Sequence, residues 1–514
     1  MIPFKVTAAA HNANVSPSVT LEKGSYRLRV PRTSQHALRT PANPDSRCRS
    51  PGHSLIRRNR ALLVFLLMLA CFFCFAAAWY LYSTRWDSRC VDRAPDFTDQ
   101  PEVREVRFGR DDLSTYGPNF REKYMTYLPH SGFHNQRIAL ENAIVLSILL
   151  NRTLIIPPVR LGKKPVRYVK YESLTTFLAI GGKEGLGHCS ITPSHMALAA
   201  ECFDYFDYTH ISWNWLVNLT QYTHLHPQVH EWNMLNLWSR KPGGSSVMVL
   251  PDESPYHYRF HDLSLDMSVV GNAKYKEQVF ISDIANSDQF LMQLGSLFGT
   301  SRLLLRSPSN LAIRTMVRQN MVYSNPILVS VVDNIRSTIG GPYFGAHIRI
   351  SDGQFEKNSL SNIRHIWWQL IKTCYGYSHS DGIEMERIFQ ESENKNNALD
   401  FSGLHNHPHI APLNTPLFIS TDVENPRQEP SFSIFLRTFP CLFISDFQTQ
   451  FEPLREFRNA NDGLELGRFL VPFLDAMILG HASKIVTTEG STFGRFAEDV
   501  LWRVYHGREI IQRG

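Results

Sequence analysis

The 514-residue sequence predicts an α/β protein, with two doubly wound units facing a cleft and a single transmembrane helix ahead of them. Three observations predict it. An apolar run, a polar knot, an amphipathic stretch and a second apolar run follow one another over residues 124–158, and the alternation returns from about residue 340. One segment, residues 61–82, is apolar throughout and carries no charge. Polar loops rich in Gly, Arg and hydroxyl side chains fall where the predicted strands end, the place where open α/β sheets bind ligands.

Residues 1–60 are rich in Ser, Pro, Arg and Asn without apolar period, and read as a disordered cytoplasmic tail. Residues 61–82, "ALLVFLLMLACFFCFAAAWYLY", have the length a bilayer crossing needs. A secretory signal peptide would sit at the extreme N-terminus and have a shorter core. Charge orients the span. The tail holds eleven Lys and Arg against two acids, net +9, which leaves −3 for the rest of a chain of total +6. Positive charge stays cytoplasmic, so residues 83–514 are expected outside or in the lumen. The basic balance thus belongs to the tail and gives no reason to expect a nucleic-acid partner.

Residues 83–120 are polar and read as a stem, followed by an N-terminal domain over 121–335 and a C-terminal domain over 336–514. "KYMTYLP" predicts a buried strand, "QRIALENAIVLSILLN" a helix with a broad apolar face, and "TLIIPP" a second strand stopped by prolines. Together they form a crossover unit with a parallel sheet. Residues 160–335 are less legible; the Gly-rich "GGKEGLGHC" reads as a surface loop rather than a phosphate loop. In the C-terminal half "PYFGAHIRIS", "PLFISTD", "CLFISDF" and "KIVTTE" predict strands. "SNIRHIWWQLIKTCY", "ELGRFLVPFLDAMILGHA" and "STFGRFAEDVLWRVYHG" predict helices. The polar stretch 376–414, with "HNHPH", is too long for an ordinary connection.

Of the five cysteines beyond the span, Cys189 and Cys202 are close enough to close a small disulfide loop in an oxidising lumen. No CxxC or Cys/His zinc spacing occurs, so structural zinc is not expected. Sequons stand at Asn151 and Asn218; Asn151 follows a helix expected to be packed, which favours Asn218 as a glycan site.

Three loops carry chemistry. In "HSGFHNQR", Gly132 lets a ligand approach the backbone, Asn135 offers donor and acceptor, and the free N–H groups of the following helix favour an anion. The plain alternative is a helix cap by His134 or Asn135. In "AHIRISDGQF", Arg349 at a strand end suits bidentate grip of a diphosphate, the alternative being a structural salt bridge to Asp352. In "TTEGSTFGRFAEDV", Ser491 and Thr492 open a helix and suit a phosphate, or simply cap it. A fourth strand end brings Asp422. No Asp-x-Asp occurs anywhere, so no metal is expected on the diphosphate; Arg349 and helix termini would have to stabilise the leaving group.

The set "GFHNQRIALENA", "HIRISD" and "TTEGSTFGRFAED", in this order, resembles the GDP-fucose protein O-fucosyltransferase family, more narrowly its fungal, single-span type II members. The resemblance covers roughly residues 121–510 and is weak over 160–335. It implies two Rossmann-like domains in the GT-B arrangement, Golgi or endoplasmic reticulum residence, and metal-free, inverting transfer of fucose from GDP-fucose to a hydroxyl of a protein or, alternatively, an α-1,6-type glycan acceptor. A third alternative is an inactive sugar-nucleotide-binding homologue. The resemblance places Asn135 beside the fucose, with Gly132, Phe133 and His134 in the same loop. Arg349 falls on the β-phosphate and glycosidic oxygen, His347 near the nucleotide, Asp352 on the guanine side, and Ser491, Thr492 and Phe493 around the phosphates and base. Some members carry a catalytic Glu just before the loop glycine, where this chain has Ser131.

Overall fold

A computed structural model describes residues 68–71, 73–75, 104–106, 122–193, 195–222, 225–226, 247–263, 274–394 and 408–512. The chain divides into two compact units, Met1–Pro101 and Glu102–Gly514. In the first, residues 68–71 and 73–75 are helical, with Met68, Phe73 and Phe75 exposed. The rest of the expected span 61–82 and the whole tail 1–60 lie outside the described residues. Among those described, no helix is long and apolar enough to cross a membrane.

Among the described residues Glu102–Gly514 is a mixed α/β unit with five sheets, of which the two largest are all-parallel. The first contains β1 (Tyr124–Tyr127), β2 (Thr153–Ile155), β3 (Leu225–His226), β4 (Val247–Leu250) and β5 (Leu291–Leu294). Their order is β3-β2-β1-β5-β4, every neighbour parallel. The second contains β6 (Phe344–Ile348), β7 (Leu417–Thr421), β8 (Cys441–Leu442) and β9 (Ile485–Thr487), in the order β8-β7-β6-β9, again all parallel.

The predicted crossover is present. All four residues of β1 are buried, helix α1 (Phe133–Leu149) follows, and β2 pairs in parallel with β1. The three strands β3, β4 and β5 come from the poorly legible 160–335 stretch, and β5 lies beside β1 at the sheet centre. Helix α2 (Gly467–His481) buries Phe469, Leu470, Phe473 and Leu474. Pro472, the sixth residue of α2, has φ suited to a first turn but lacks an N–H for the helix ladder.

Side chains of β7 alternate between two cores. Phe418 joins the cluster that includes Met125, Leu154, Met292 and Phe473. Ile419 points the other way, into a cluster with Ala346, Ile348 and Trp367. Both halves therefore share a core and hold their strand ends in fixed register.

Four expectations change. Within the expected stem, Arg104–Val106 forms a strand paired in parallel with Phe457–Asn459; a three-residue polar strand has no readable period. "CLFISDF" is strand only at Cys441–Leu442, because Asp446 accepts the Phe443 N–H at 2.9 Å and turns the chain into a 3-10 helix. The polar 376–414 stretch contains a helix, His379–Asn394. Its packed face combines Gly382, where a Cβ would fall 2.5 Å from the Trp368 ring, with buried Met385 and Glu386, so the apolar pattern is weak. Asn151, ranked below Asn218 because it follows a packed helix, is itself exposed in the left-handed conformation (φ 50°), as is common just past a helix end. Asn218 is exposed too. Cys189 and Cys202 are disulfide-bonded as expected. Of "HNHPH", residues 405–407 lie outside the described residues.

Candidate functional site

The site begins where β1 ends. After Pro129 and His130 the chain takes a left-handed step at Ser131 (φ 68°), and Gly132 becomes the N-cap of α1. No side chain caps this helix, so neither His134 nor Asn135 serves the capping role. A Cβ at Gly132 would meet nothing within 4 Å, so the glycine leaves an open approach to the backbone rather than relieving a clash. Gln136 pins the loop from within: its amide donates to Ser131 O (3.1 Å) and Arg160 O (2.9 Å) and accepts the Arg160 N–H (3.0 Å). Asn135 Oδ1 and His134 Nδ1 are buried without a hydrogen-bond partner among the described residues, an unfavourable state unless a ligand supplies one.

From the other sheet, β6 delivers His347 and then Arg349. His347 Nε2 lies 2.9 Å from Ser491 Oγ, and the ring stacks on Phe493 at 4.5 Å. His134 meets the same Phe493 edge-on at 5.0 Å, so one phenyl ring touches a histidine from each half. Burial first, then the Arg137 guanidinium, proximity to His347 and the Arg349 guanidinium, hold the His134 pKa well below its ordinary value. Burial and Arg349 lower that of His347 to about 3. Both imidazoles are neutral at physiological pH, and His347 pairs with Ser491 as an uncharged ring.

Ser491 is the N-cap of the helical run that follows, its Oγ accepting the Gly494 N–H at 3.2 Å. Thr492 and Phe493 are half-buried in the first turn. Gly494 has no room for a side chain: a Cβ would stand 2.8 Å from Thr487 Cβ and 3.0 Å from His347 Cδ2. Thr488 ties the two loops together, its hydroxyl donating to His347 O (3.0 Å) and accepting the Arg349 N–H (3.0 Å). Asp422 accepts the Ile350 and Ser351 N–H groups at 3.0 and 3.1 Å and thereby shapes the loop after Arg349.

Arg349 is held by Asp352 in a two-point pair, Nε to Oδ1 at 3.2 Å and Nη2 to Oδ2 at 2.9 Å, with its Cζ 4.7 Å from the Phe355 ring centroid. The salt bridge weighed from sequence is therefore formed. Both side chains keep about a third of their surface (28% and 31%), so the fork can still be reached from solvent.

The structure thus brings Gly132, Phe133, His134 and Asn135 from one sheet against His347, Ser491, Thr492 and Phe493 from the other, with Arg349 and Asp352 on the adjoining loop. Sequence reasoning missed Thr488, Gly494 and the buried Asp475, whose carboxyl oxygen accepts from Ser420 Oγ at 3.2 Å beside His347 in the strand register. Only "TTEGST" carried a signal, and Gly494 looks like any helix glycine. Among the described residues one group has metal-ligand spacing, His188, Cys189 and Cys202, and its two sulfurs are spent in the disulfide.

No family model matches the chain. A 38-residue stretch is 53% identical to "O-fucosyltransferase 30" of Arabidopsis thaliana; it spans 7% of this chain and 8% of that protein. Crystal structures of POFUT1 are similar at low score. The complex with GDP-fucose has a TM-score of 0.32 and 11% identity over 74% of this chain and 95% of that chain. The apo form has a TM-score of 0.32 and 12% identity over 75% and 96%.

Proposed function

We propose that the chain is a glycosyltransferase that moves fucose from GDP-fucose to the hydroxyl of a protein Ser or Thr, by a metal-independent, inverting mechanism in a GT-B-like cleft. The observation that carries this reading is the convergence of strand ends. The loop before α1, the Arg349 loop and the Ser491 helix start meet around Phe493, and buried Asn135 Oδ1 and His134 Nδ1 there have no protein partner among the described residues. The short stretch shared with an O-fucosyltransferase points the same way.

In this reading the uncapped N–H groups of α1 and the Ser491–Phe493 turn receive the diphosphate. Arg349 exchanges its two hydrogen bonds from Asp352 to the diphosphate as negative charge builds on the leaving oxygen. The basic tail and the apolar segment 61–82 anchor the protein as a single-pass type II membrane protein of the Golgi or endoplasmic reticulum, catalytic region in the lumen. The test is binding of the full-length protein to a panel of nucleotide sugars, followed by GDP release with and without EDTA. GDP-fucose is expected to bind best, with turnover unchanged by EDTA. Preference for another donor, or activity that Mn²⁺ alone restores, refutes the reading. The Arg349–Asp352 pair favours one second reading, an inactive nucleotide-sugar binder whose guanidinium never leaves Asp352. Binding without GDP release would select it.

A further inference from the structure

The disulfide-closed loop takes no part in the transfer chemistry above, and a histidine stands beside its bridge. A five-residue helix, Gly187–Ile191, carries His188 and Cys189, and a 3-10 turn, Ala200–Cys202, carries Glu201 and Cys202. Both cysteines are fully buried, whereas the His188 side chain keeps 47% of its surface. From His188 Nε2, Cys189 Sγ lies at 3.6 Å, Cys202 Sγ at 3.5 Å and Glu201 Oε1 at 3.5 Å. One ring nitrogen therefore faces two sulfurs and a carboxylate at nearly a single distance.

That distance is the one a tetrahedral metal imposes. Zn²⁺ binds thiolate sulfur at about 2.3 Å and imidazole nitrogen at about 2.0–2.1 Å, which makes the edge from nitrogen to sulfur about 3.5 Å. Two edges of a face made by two sulfurs and one nitrogen are thus already in place. The third edge, from sulfur to sulfur, is about 3.8 Å in the same geometry. Only the bond between Cys189 and Cys202 holds the sulfurs closer than that. Cys202 has room to give way, because residues 195–201 ahead of it are all exposed. Cys189 is anchored in its helix, its N–H donating to Leu186 O at 2.9 Å. The half-exposed imidazole is the side from which an ion enters.

We propose that, once the disulfide is reduced, His188 Nε2 and the Cys189 and Cys202 thiolates hold one divalent cation of the zinc class. The fourth position is open to water on the exposed Glu201 side. Two thiolates and an imidazole select Zn²⁺ over Mg²⁺ or Ca²⁺, which take oxygen ligands. Bridge and metal are then alternative closures of the same loop. Starting from the bridge, a dithiol reductant gives up two electrons and two protons and becomes a disulfide itself. The Cys189–Cys202 bond breaks and two thiols form. The cation then displaces both thiol protons to solvent. In a newly made chain the order runs the other way: the cation holds the loop near its final shape, and exchange with a disulfide oxidant forms the bridge and releases it. The proposal is independent of the glycosyl-transfer reading. The bridged protein has no thiolates to offer here, so EDTA leaves it unchanged.

The test uses full-length protein, reduced under argon, freed of reductant and titrated with Co²⁺, whose visible d–d bands report tetrahedral thiolate ligation. Reduced wild type is expected to develop these bands to one equivalent beyond any signal of reduced Cys189→Ser/Cys202→Ser, which retains the other thiols. Zn²⁺ is expected to bleach them, since such sites bind it more tightly than Co²⁺. His188→Ala removes a half-exposed side chain and spares the bridge, so its oxidised Tm should match wild type. Once reduced, it should bind Zn²⁺ at least about tenfold more weakly, because losing even an outer partner of a ligand costs about 10- to 100-fold. Zn²⁺ should also raise the Tm of reduced wild type, but not of the oxidised protein or the reduced double-serine variant, because a cation held only by the folded state stabilises it. Cobalt bands no stronger than those of the double-serine variant overturn the proposal. So does Zn²⁺ affinity within twofold of wild type in His188→Ala, or a reduced wild type whose melting Zn²⁺ leaves unchanged.

Discussion

Replacement of Arg349 separates a structural role from a catalytic one because the two have different magnitudes. The guanidinium makes a two-point pair with Asp352, but the partners retain 28% and 31% of their side-chain surface, so screening limits the pair to about 0.5–1 kcal/mol. Its position 4.7 Å from the Phe355 ring contributes about another 0.5–1 kcal/mol. Arg349→Ala is therefore expected to destabilise by about 1–2 kcal/mol, a few degrees in Tm for a unit of this size. Loss of a donor that strengthens on developing charge costs far more, about 10²- to 10³-fold in turnover. Arg349→Lys keeps the charge and much of the pairing with Asp352 but cannot present the fork, so its stability should stay near wild type while its turnover falls by that factor. The assay is GDP release from GDP-fucose at saturation, beside thermal melting of the same preparation. If Arg349→Lys keeps more than about a tenth of wild-type turnover, against the loss expected for a single donor, the catalytic assignment is wrong. If both variants unfold, the pair with Asp352 is the residue's purpose.

Other perturbations test the frame around the site. Burial raises the Asp475 carboxyl to about 8, while in the unfolded chain it ionises near the ordinary 3.8. Between those values the folded state holds a proton the unfolded chain has lost, so this contribution to stability is complete below about pH 4 and is lost as pH rises toward 8. Asp475→Asn should flatten that decline in urea melts taken across the range; an unchanged slope refutes the assignment. Gly494→Ala forces a methyl against Thr487 and His347, and is expected to destabilise by about 1–3 kcal/mol and weaken GDP binding, read by melting and calorimetry. Reduction of the Cys189–Cys202 bridge, whose cysteines stand 13 apart in sequence, should lower stability by about 3 kcal/mol, checked by melting the Cys189→Ser/Cys202→Ser protein.

The first crossover was legible because burial leaves a mark on composition. The four residues of β1 are buried, and α1 buries eleven of its residues, so the apolar runs announce themselves. The same holds for β6, β7 and α2, and for the cysteine pair, whose spacing limits what it can reach. The loops at the strand ends were readable as polar breaks with chemistry in them. The helix His379–Asn394 was not, because a glycine and a buried acid, Gly382 and Glu386, share its packed face with Met385 and interrupt the apolar period.

What the sequence determined by itself is where chain segments become strand or helix and which loops carry Arg, Asn and Ser, since periodicity and capping chemistry are local. Tertiary structure decided who meets whom. Phe493 touches His134 and His347 because two sheets share one core, and 359 residues of sequence separate the first of these from the ring it packs on. Whether Arg349 is free or paired and why residue 494 must be glycine depend on distances across the fold. Those distances are set by packing around Trp367, Phe418 and Phe473, and no local window contains them.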